Sequence, residues 1–303
     1  MPGSAEELVF PSMGTTVRLI ADEPLEPIRA GIEEIAARLT RFDPGSELCA
    51  LNADPREVVP VSPLLRRAVQ AALLGAWRTG GLADPTLLEA VEAAGYARSR
   101  VGVEPASLDH ALRAAPPRRP ATPGGRWRAV EVRGDRVARP PGLRLDLGGS
   151  AKGLAADWAA SRLGGRYVVD CGGDVRVGGT HDVALRGTAH TLRVTDGAVA
   201  TSGLDRRVWR REDGTYAHHL LDPATGEPGW TGLVSATAVA STAIEAEALA
   251  KAALLAGPLG ARRVLTGGGI VVDDDGRSEV VGGGDVRRVR LAAGDARRLG
   301  GAA

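Results

Sequence analysis

In the second half of the chain, short apolar runs of strand length end repeatedly in glycine pairs, and Ala-rich segments of helical length lie between them. The run LRLDL at 143–147 precedes Gly148-Gly149, and the run RYVVDC precedes Gly172-Gly173. Strand and helix patterns alternate irregularly, which favours neither a helix bundle nor a regular parallel sheet. We predict an α+β fold, with mixed, largely antiparallel sheets and packed helices.

The first half carries further strand and helix patterns. Apolar residues at helical spacing predict helices over 27–40 and 62–79, the second with Ser62 as its N-cap. The Pro/Arg-rich segment near 99–142 could pass for a domain linker, but we interpret it as a variable insertion within a single domain over 1–303. We also predict strands from Glu7 to Ala21, a third helix within 82–96, a last long helix over 241–257 and a hairpin at 269–276.

The composition excludes several classes of function. With 38 Lys+Arg and 37 Asp+Glu residues the net charge is +1, so we expect no nucleic-acid partner. Cys49 and Cys171 lie far apart without a CxxC pattern, which argues against a disulfide framework or a zinc site and favours buried thiols. Because no signal-peptide pattern and no apolar run of about 18 residues occurs, we expect a cytoplasmic protein with no membrane insertion.

Lysine is rare in this chain, which uses arginine almost everywhere: the only two lysines are Lys152 and Lys251. Lys152 follows Gly148-Gly149 at a predicted helix start, where free backbone N–H groups and a close approach suit a phosphate. The run GGSAKG contains neither GxGxxG nor the Gly-Lys-Ser/Thr of a P-loop. The alternative, a tight turn followed by a solvated lysine, stays open on spacing alone.

Two further corners resemble the glycine pairs. ATSG ends at Gly203, and HHLLDPATGEP begins with His218 and His219 and contains Asp222. Adjacent residues on a strand point to opposite faces, so at most one of the two histidines can enter a site. Each corner is weak evidence alone, but their serial occurrence at strand ends is not typical of ordinary turns.

Taken in order, these elements resemble the ApbE family, the FAD:protein FMN transferases, over residues 8 to about 257. The motifs that carry the resemblance are MGTTVRL, FDPGSELCALN, DPT, LDLGGSAKGLAAD, DCGGDVRVGG, ATSG, HHLLDPATGEP and ASTAIEAEALAKAALLAG. The resemblance implies that FAD is cleaved at its pyrophosphate, that AMP leaves, and that FMN is attached by a phosphoester to a Ser or Thr of an acceptor flavoprotein, with Mg²⁺ in support. The alternatives are an FAD-binding protein with weak or lost chemistry, and an FAD pyrophosphatase giving FMN and AMP.

The resemblance also implies site residues. Catalytic roles fall to His219, Lys152 and Asp222. FAD-binding roles fall to Met13, Asn52, Asp84, Thr86, Asp146, Gly148, Gly149, Lys152, Gly153, Asp157, Gly172, Gly173, Ser202, Gly203 and His219. The metal positions are the Ala151 carbonyl, Glu247 and Lys251.

The chain departs from the family pattern at this metal corner. The family reads A-D-A-L-x-T-A where this chain reads AEALAKA, so Glu247 replaces Asp and Lys251 replaces Thr. A protonated lysine has no lone pair with which to bind a metal. Either Glu247 and Lys251 form an i, i+4 ion pair while the metal is held elsewhere, or the ammonium partly replaces the metal against the pyrophosphate.

Overall fold

The structure is a computed structural model that describes residues 5–186, 188–282 and 286–287. Its strands are β1 (Glu6–Ser12), β2 (Thr15–Ala21), β3 (Val58–Pro60), β4 (Glu131–Arg133), β5 (Arg136–Ala138), β6 (Tyr167–Cys171), β7 (Asp174–Gly178), β8 (Thr180–Ala184), β9 (Thr191–Thr195), β10 (Ala198–Gly203), β11 (Val208–Arg210), β12 (Tyr216–His218), β13 (Leu233–Ala240), β14 (Gly269–Asp273), β15 (Ser278–Val281) and β16 (Val286–Arg287). A central eight-stranded sheet has the order β1-β2-β6-β7-β10-β13-β14-β15. Smaller sheets are formed by β16-β9-β8, β3-β5-β4 and β11-β12.

Seven α-helices accompany these sheets in the described part of the chain. They are α1 (Glu26–Leu39), α2 (Glu47–Ala53), α3 (Pro63–Arg78), α4 (Leu88–Ala93), α5 (Leu108–Ala114), α6 (Ala151–Ala160) and α7 (Ala243–Val264). Helices α6 and α7 pack against each other and against central strands of the large sheet. All strand pairs between described residues are antiparallel, so the predicted α+β class is confirmed.

Local chemistry explains why the predicted elements form. Met13 and Gly14 have φ angles of 51° and 69°, as the two-residue turn between β1 and β2 requires for tight reversal. Ser62 accepts a hydrogen bond from Leu65 N at the start of α3, which confirms its predicted role as N-cap. The buried face of α1 consists of the apolar residues that predicted it: Ile28, Ile32, Ile35 and Leu39.

Two expectations fail. The run LRLDL at 143–147 is not a strand, because its backbone is bonded to side-chain and loop atoms instead of a neighbouring strand. Asn52 takes both polar groups of Leu145, donating to its O and accepting from its N at 2.8 Å each. The segment near 99–142 contains, besides the short strands β4 and β5, the unpredicted helix α5, whose N-cap is Ser107. The interpretation of the segment near 99–142 as an insertion stays a prediction.

Both cysteines lie in the described part of the chain and are free. Cys171 is buried and Cys49 is partly buried. None of the described helices is long and apolar enough to cross a membrane. A separate apolar cluster lies between the central sheet and the β8–β9 pair, with Val177, Val194 and Ile270 among its members.

Helix α6 lies close to the start of α7 at Gly153. A Cβ at this position would lie 2.8 Å from backbone atoms of Ala243 and Ile244, which no side-chain movement can relieve. We therefore expect Gly153→Ala to lower the free energy of unfolding by about 1–3 kcal/mol, the usual cost of overpacking. Urea unfolding measures this change. Gly125→Ala is the matched control because its Cβ would meet only the end of the Arg128 side chain, and an equal loss in both variants would contradict the packing argument.

Candidate active site

A large open cleft lies at the corners where strands and loops meet helices α6 and α7. Its volume is about 1730 Å³, well above the roughly 300–1,000 Å³ of pockets for drug-sized ligands. Its walls come from the β1–β2 turn, the segment before α6, the β6–β7 turn, the end of β10 and one side of α7. The cleft therefore suits a ligand considerably larger than a typical drug molecule.

The structure brings most of the predicted site residues together in this cleft. The predicted residues that line it are Met13, Asp84, Asp146, Gly148, Gly149, Ala151, Lys152, Gly172, Gly173, Ser202, Gly203, His219, Glu247 and Lys251. The predicted residues that do not line it are Asn52, Thr86, Gly153, Asp157 and Asp222. Ligand contact at the first group stays a prediction, and the second group holds the walls in place.

One wall depends on a chain of bonds between side chains and backbone. Asp84 Oδ1 accepts hydrogen bonds from Thr86 N at 2.8 Å and from Thr86 Oγ1 at 2.6 Å. The next residue along, Pro85, accepts from Asp146 N at 2.8 Å, and Asp146 Oδ1 accepts from Gly148 N at 2.8 Å. These bonds fix the glycine corner relative to the Asp84 loop without any contact from Thr86 to the cleft.

Asp157 positions helix α7. Its two carboxylate oxygens accept hydrogen bonds from Ala243 N at 2.9 Å and Ile244 N at 3.0 Å, the first free N–H groups of that helix. Burial raises the pKa of Asp157, although these backbone bonds oppose the shift. The side chain thus sets the position of the helix that carries Glu247 and Lys251.

Asp222 was predicted to be catalytic, but the structure places its carboxylate in a turn outside the cleft lining. It accepts hydrogen bonds from Thr122 N at 3.1 Å and Ala224 N at 3.0 Å. The residue is 6% exposed. These contacts tie the DPATG turn to the segment around Thr122, and a catalytic role for Asp222 stays a prediction.

Lys152 forms the centre of a buried ion cluster. Its Nζ lies 2.9 Å from Glu247 Oε1 and also bonds to Asp174 Oδ2. Glu247 Oε2 accepts from Gly153 N at 3.0 Å. Burial disfavours the charge on Lys152, but the two carboxylates outweigh this effect and raise the pKa of the ammonium. Burial and the nearby Glu247 raise the pKa of Asp174.

Lys251 does not form the i, i+4 ion pair with Glu247 that was one of the two alternatives for this corner. Its Nζ instead donates to Gly149 O at 3.0 Å, and no carboxylate of the described residues lies within 4.0 Å of it. The Glu247 oxygens are already bonded to Lys152 and Gly153, which leaves Lys251 facing the glycine corner. Burial lowers the pKa of Lys251, and Glu247 opposes that shift.

Of the two adjacent histidines, only His219 lines the cleft, in agreement with the prediction that at most one of them enters a site. The Nδ1 atom of His219 is buried and has no hydrogen-bond partner within the described part of the chain. Burial, followed by the charge of Arg207, lowers the pKa of His219 well below its ordinary value, so the imidazole is neutral at neutral pH. His218 is fully buried and packs edge-on against Trp230, with 4.5 Å between ring centroids.

Because of His218, the folded protein should lose stability as the pH falls below neutral. Burial lowers its pKa to about 3, whereas in the unfolded chain it titrates near 6.5. The unfolded state therefore binds the extra proton between these values, so stability is complete above about pH 6.5 and falls as the pH decreases. At about pH 4.5 we expect the free energy of unfolding to be about 2–3 kcal/mol lower than at neutral pH because of His218.

Urea unfolding at about pH 7 and about pH 4.5 measures this effect. His218→Leu should be less stable than wild type at neutral pH, because Leu220 N loses its acceptor on His218 Nδ1, but should lose less stability on acidification. An equal pH dependence in both proteins would contradict the assignment.

Sequence reasoning missed an arginine and its aromatic neighbours in the cleft. The Arg41 guanidinium stacks on Phe42 and Tyr96, at 4.2 and 4.6 Å from the ring centroids. It also donates to Tyr96 O at 2.7 Å and lies 3.5 Å from Asp146. Because arginine is so common in this chain, nothing in the sequence marked Arg41 as a cleft residue except its place next to the FDPGS motif.

Arg206 and Arg207 complete the positive side of the cleft. Like Lys251, neither has a carboxylate partner within 4.0 Å in the described ranges. Arg206 Nη1 donates to Thr15 Oγ1 at 3.3 Å. With Arg100, which stacks on Trp209, four positive side chains without an ion pair among the described residues line this cleft, which favours a ligand with several negative charges.

Comparison with known proteins agrees with this geometry. The model of the ApbE family matches residues 13–270. The chain is 30% identical over 296 residues to the FAD:protein FMN transferase of Treponema pallidum, covering 84% of this chain and 78% of that protein. It is 28% identical over 285 residues to the FAD:protein FMN transferase of Vibrio cholerae, covering 84% and 83%.

A solved structure supports the same assignment. The ApbE protein of Thermotoga maritima is similar with a TM-score of 0.74 and 26% identity, over 91% of this chain and 97% of that chain. These comparisons place the chain among proteins of the flavin transferase type, and the chain belongs to the ApbE family.

Proposed function

We propose that this protein is an FAD:protein FMN transferase, which moves FMN from FAD to a Ser or Thr hydroxyl of an acceptor flavoprotein. The observation that carries the proposal is the cleft, where unpaired cationic side chains face the glycine corners at 148–149 and 172–173. Glycine corners admit a pyrophosphate at backbone distance, and the cations stabilise its charge. The names of the Treponema and Vibrio relatives agree with this activity.

The reaction is a displacement at phosphorus. The acceptor hydroxyl oxygen attacks the FMN phosphorus of FAD and forms the new phosphoester bond. The bond from that phosphorus to the bridging oxygen breaks, and AMP leaves with the bridging oxygen and its electron pair. The hydroxyl proton passes to the imidazole of His219, which is neutral in its buried position and can therefore accept it.

The remaining cleft residues bind and orient the substrate. Arg206, Arg207 and Lys251 are placed to stabilise the negative charge that moves onto AMP as the bond breaks. Lys152 is held by Asp174 and Glu247, so its main task is to fix the start of α6 beside the pyrophosphate. Such positioning contributes much of the catalysis in phosphoryl transfer.

The metal corner of this chain does not fit Mg²⁺. This ion requires near-octahedral oxygen coordination at about 2.0–2.1 Å. Both Glu247 oxygens are already hydrogen-bonded, and the side chain at 251 is an ammonium group that cannot donate electrons to a metal. No cluster of three or more metal-binding His, Cys, Asp or Glu side chains occurs within the described ranges. The steps above therefore involve no metal.

The proposal is tested by incubating the purified protein with FAD, alone and with a flavin-free protein extract. AMP is quantified by chromatography, and covalent flavin by the fluorescence that stays with protein after denaturation. We expect AMP and protein-bound flavin in equal amounts. AMP with an equal amount of free FMN in both samples would instead identify an FAD pyrophosphatase, and retention of intact FAD in both would identify a binding protein.

A further inference from the structure

The Lys251 side chain occupies space that only a glycine at position 149 leaves open. The Lys251 ammonium lies so close to the glycine corner that a Cβ at position 149 would be 1.8 Å from Nζ. The same ammonium donates to Gly149 O at 3.0 Å. Residue 149 must therefore be glycine for the ammonium to occupy this place, beside the start of α6.

The ammonium still has capacity to bind a ligand. A lysine ammonium has three N–H donors, and Gly149 O accepts one of them. Lys251 lines the cleft and has no carboxylate partner within 4.0 Å among the residues described. At the adjacent helix start, Ser150 makes no side-chain capping bond. A positive charge with free donors at an uncapped helix start suits phosphate oxygens.

The surrounding charges oppose a divalent cation at the same place. Two ammonium groups, those of Lys152 and Lys251, flank Glu247, and each would repel a metal ion. The Asp174 and Glu247 oxygens that face Lys152 are engaged by it. Displacing Lys152 to free them would leave a buried ammonium unpaired, which is strongly unfavourable.

Resting on the function proposed above, we infer that the Lys251 ammonium is the fixed cation for the FAD pyrophosphate in this chain and that FMN transfer proceeds without a divalent metal. The bonds made and broken are those of the displacement described above. Lys251 keeps its proton throughout, binding pyrophosphate oxygens in FAD and then phosphate oxygens of the departing AMP.

The first test measures ligand affinity in EDTA by titrating flavin fluorescence. Lys251→Gln should weaken FAD binding by about 10- to 100-fold, the usual effect of losing a charged hydrogen bond. Riboflavin, which lacks the pyrophosphate, should bind both proteins within about twofold, which separates charge loss from misfolding. Arg136→Gln removes an exposed positive charge outside the cleft lining and should change neither affinity. Unchanged FAD affinity in Lys251→Gln would overturn the inference.

The second test asks directly about the metal, by electron paramagnetic resonance of Mn²⁺ in the presence of FAD. Wild type should bind no Mn²⁺ beyond what FAD binds alone. The double variant Glu247→Asp, Lys251→Thr replaces the ammonium with oxygen groups and should gain a Mn²⁺ site. Stoichiometric Mn²⁺ binding by wild type would overturn the inference.

AMP release in EDTA and in Mg²⁺ separates the two proposals. Rates within about twofold of each other are expected. Release that stops in EDTA and returns with Mg²⁺ would overturn the metal-free inference and keep the transferase. If no AMP forms in either condition or with the protein extract, the transferase fails, and the affinity and Mn²⁺ measurements still decide whether Lys251 is the fixed cation.

Discussion

Replacing His219 with glutamine is expected to slow AMP release from enzyme-bound FAD by about 10²–10⁴-fold, the range that general acid–base catalysis contributes. Glutamine keeps a polar side chain of similar reach but cannot accept the hydroxyl proton. Single-turnover measurement of AMP, with the flavin-free protein extract supplying the acceptor, isolates this step from FAD binding. FAD affinity should stay within about threefold, because the proton is transferred only during the displacement.

His110 supplies the matched control, because it is exposed on α5 and outside the cleft lining. His110→Gln makes the same chemical change and should leave both rate and affinity unaltered. A single-turnover rate in His219→Gln close to that of wild type would remove His219 as the base. The same rate loss accompanied by an equal loss of FAD affinity would show that the side chain binds substrate instead.

The parts of the fold that the sequence predicted are those set by neighbours along the chain. Helix α1 follows from the spacing of its isoleucines, and α3 from the cap at Ser62. That only one of His218 and His219 lines the cleft agrees with the two-residue period of an extended chain. Each of these features depends on residues within one or two turns, so a local pattern contains the information.

Contacts between distant segments could not be predicted in the same way. The run at 143–147 has the apolar alternation of a strand. However, the backbone N–H and C=O of Leu145 are hydrogen-bonded to the side chain of Asn52, 93 positions away, and not to a neighbouring strand. Asn52 and Asp157 were predicted as ligand contacts, which stays a prediction; in the structure they are bonded to Leu145 and to the start of α7. A motif marks residues that the site requires, but the sequence does not distinguish a residue that binds from one that positions.

The partners of Lys152 are another contact that local sequence could not predict. Its place after a glycine pair predicted a charge for the pyrophosphate, whereas its ammonium is bonded to Asp174 and to Glu247, which is 95 positions away. The scarcity of lysine was the informative signal, because both lysines lie beside the same glycine corner. Their different partners could be known only from the packing of α6 against α7.

Lys152→Met is expected to lower the free energy of unfolding by about 3–5 kcal/mol, the usual cost of removing one partner of a buried ion pair. Methionine fills nearly the same volume, so the loss comes from the charges that remain. The Asp174 and Glu247 side chains are 2% and 5% exposed. Without the ammonium they either repel each other where water cannot screen them, or Asp174, whose pKa burial and Glu247 already raise, takes up a proton, and both outcomes cost stability. Urea unfolding at neutral pH measures the difference.

The double variant Lys152→Met, Asp174→Asn tests whether charge is the cause. Asparagine removes one of the two uncompensated carboxylates, while Glu247 keeps its hydrogen bond from Gly153 N. If the carboxylates are responsible, the double variant is more stable than Lys152→Met alone, although Asp174→Asn by itself destabilises wild type. Additive losses in the double variant would instead mean that Lys152 acts through packing, because only interacting residues show such a coupling.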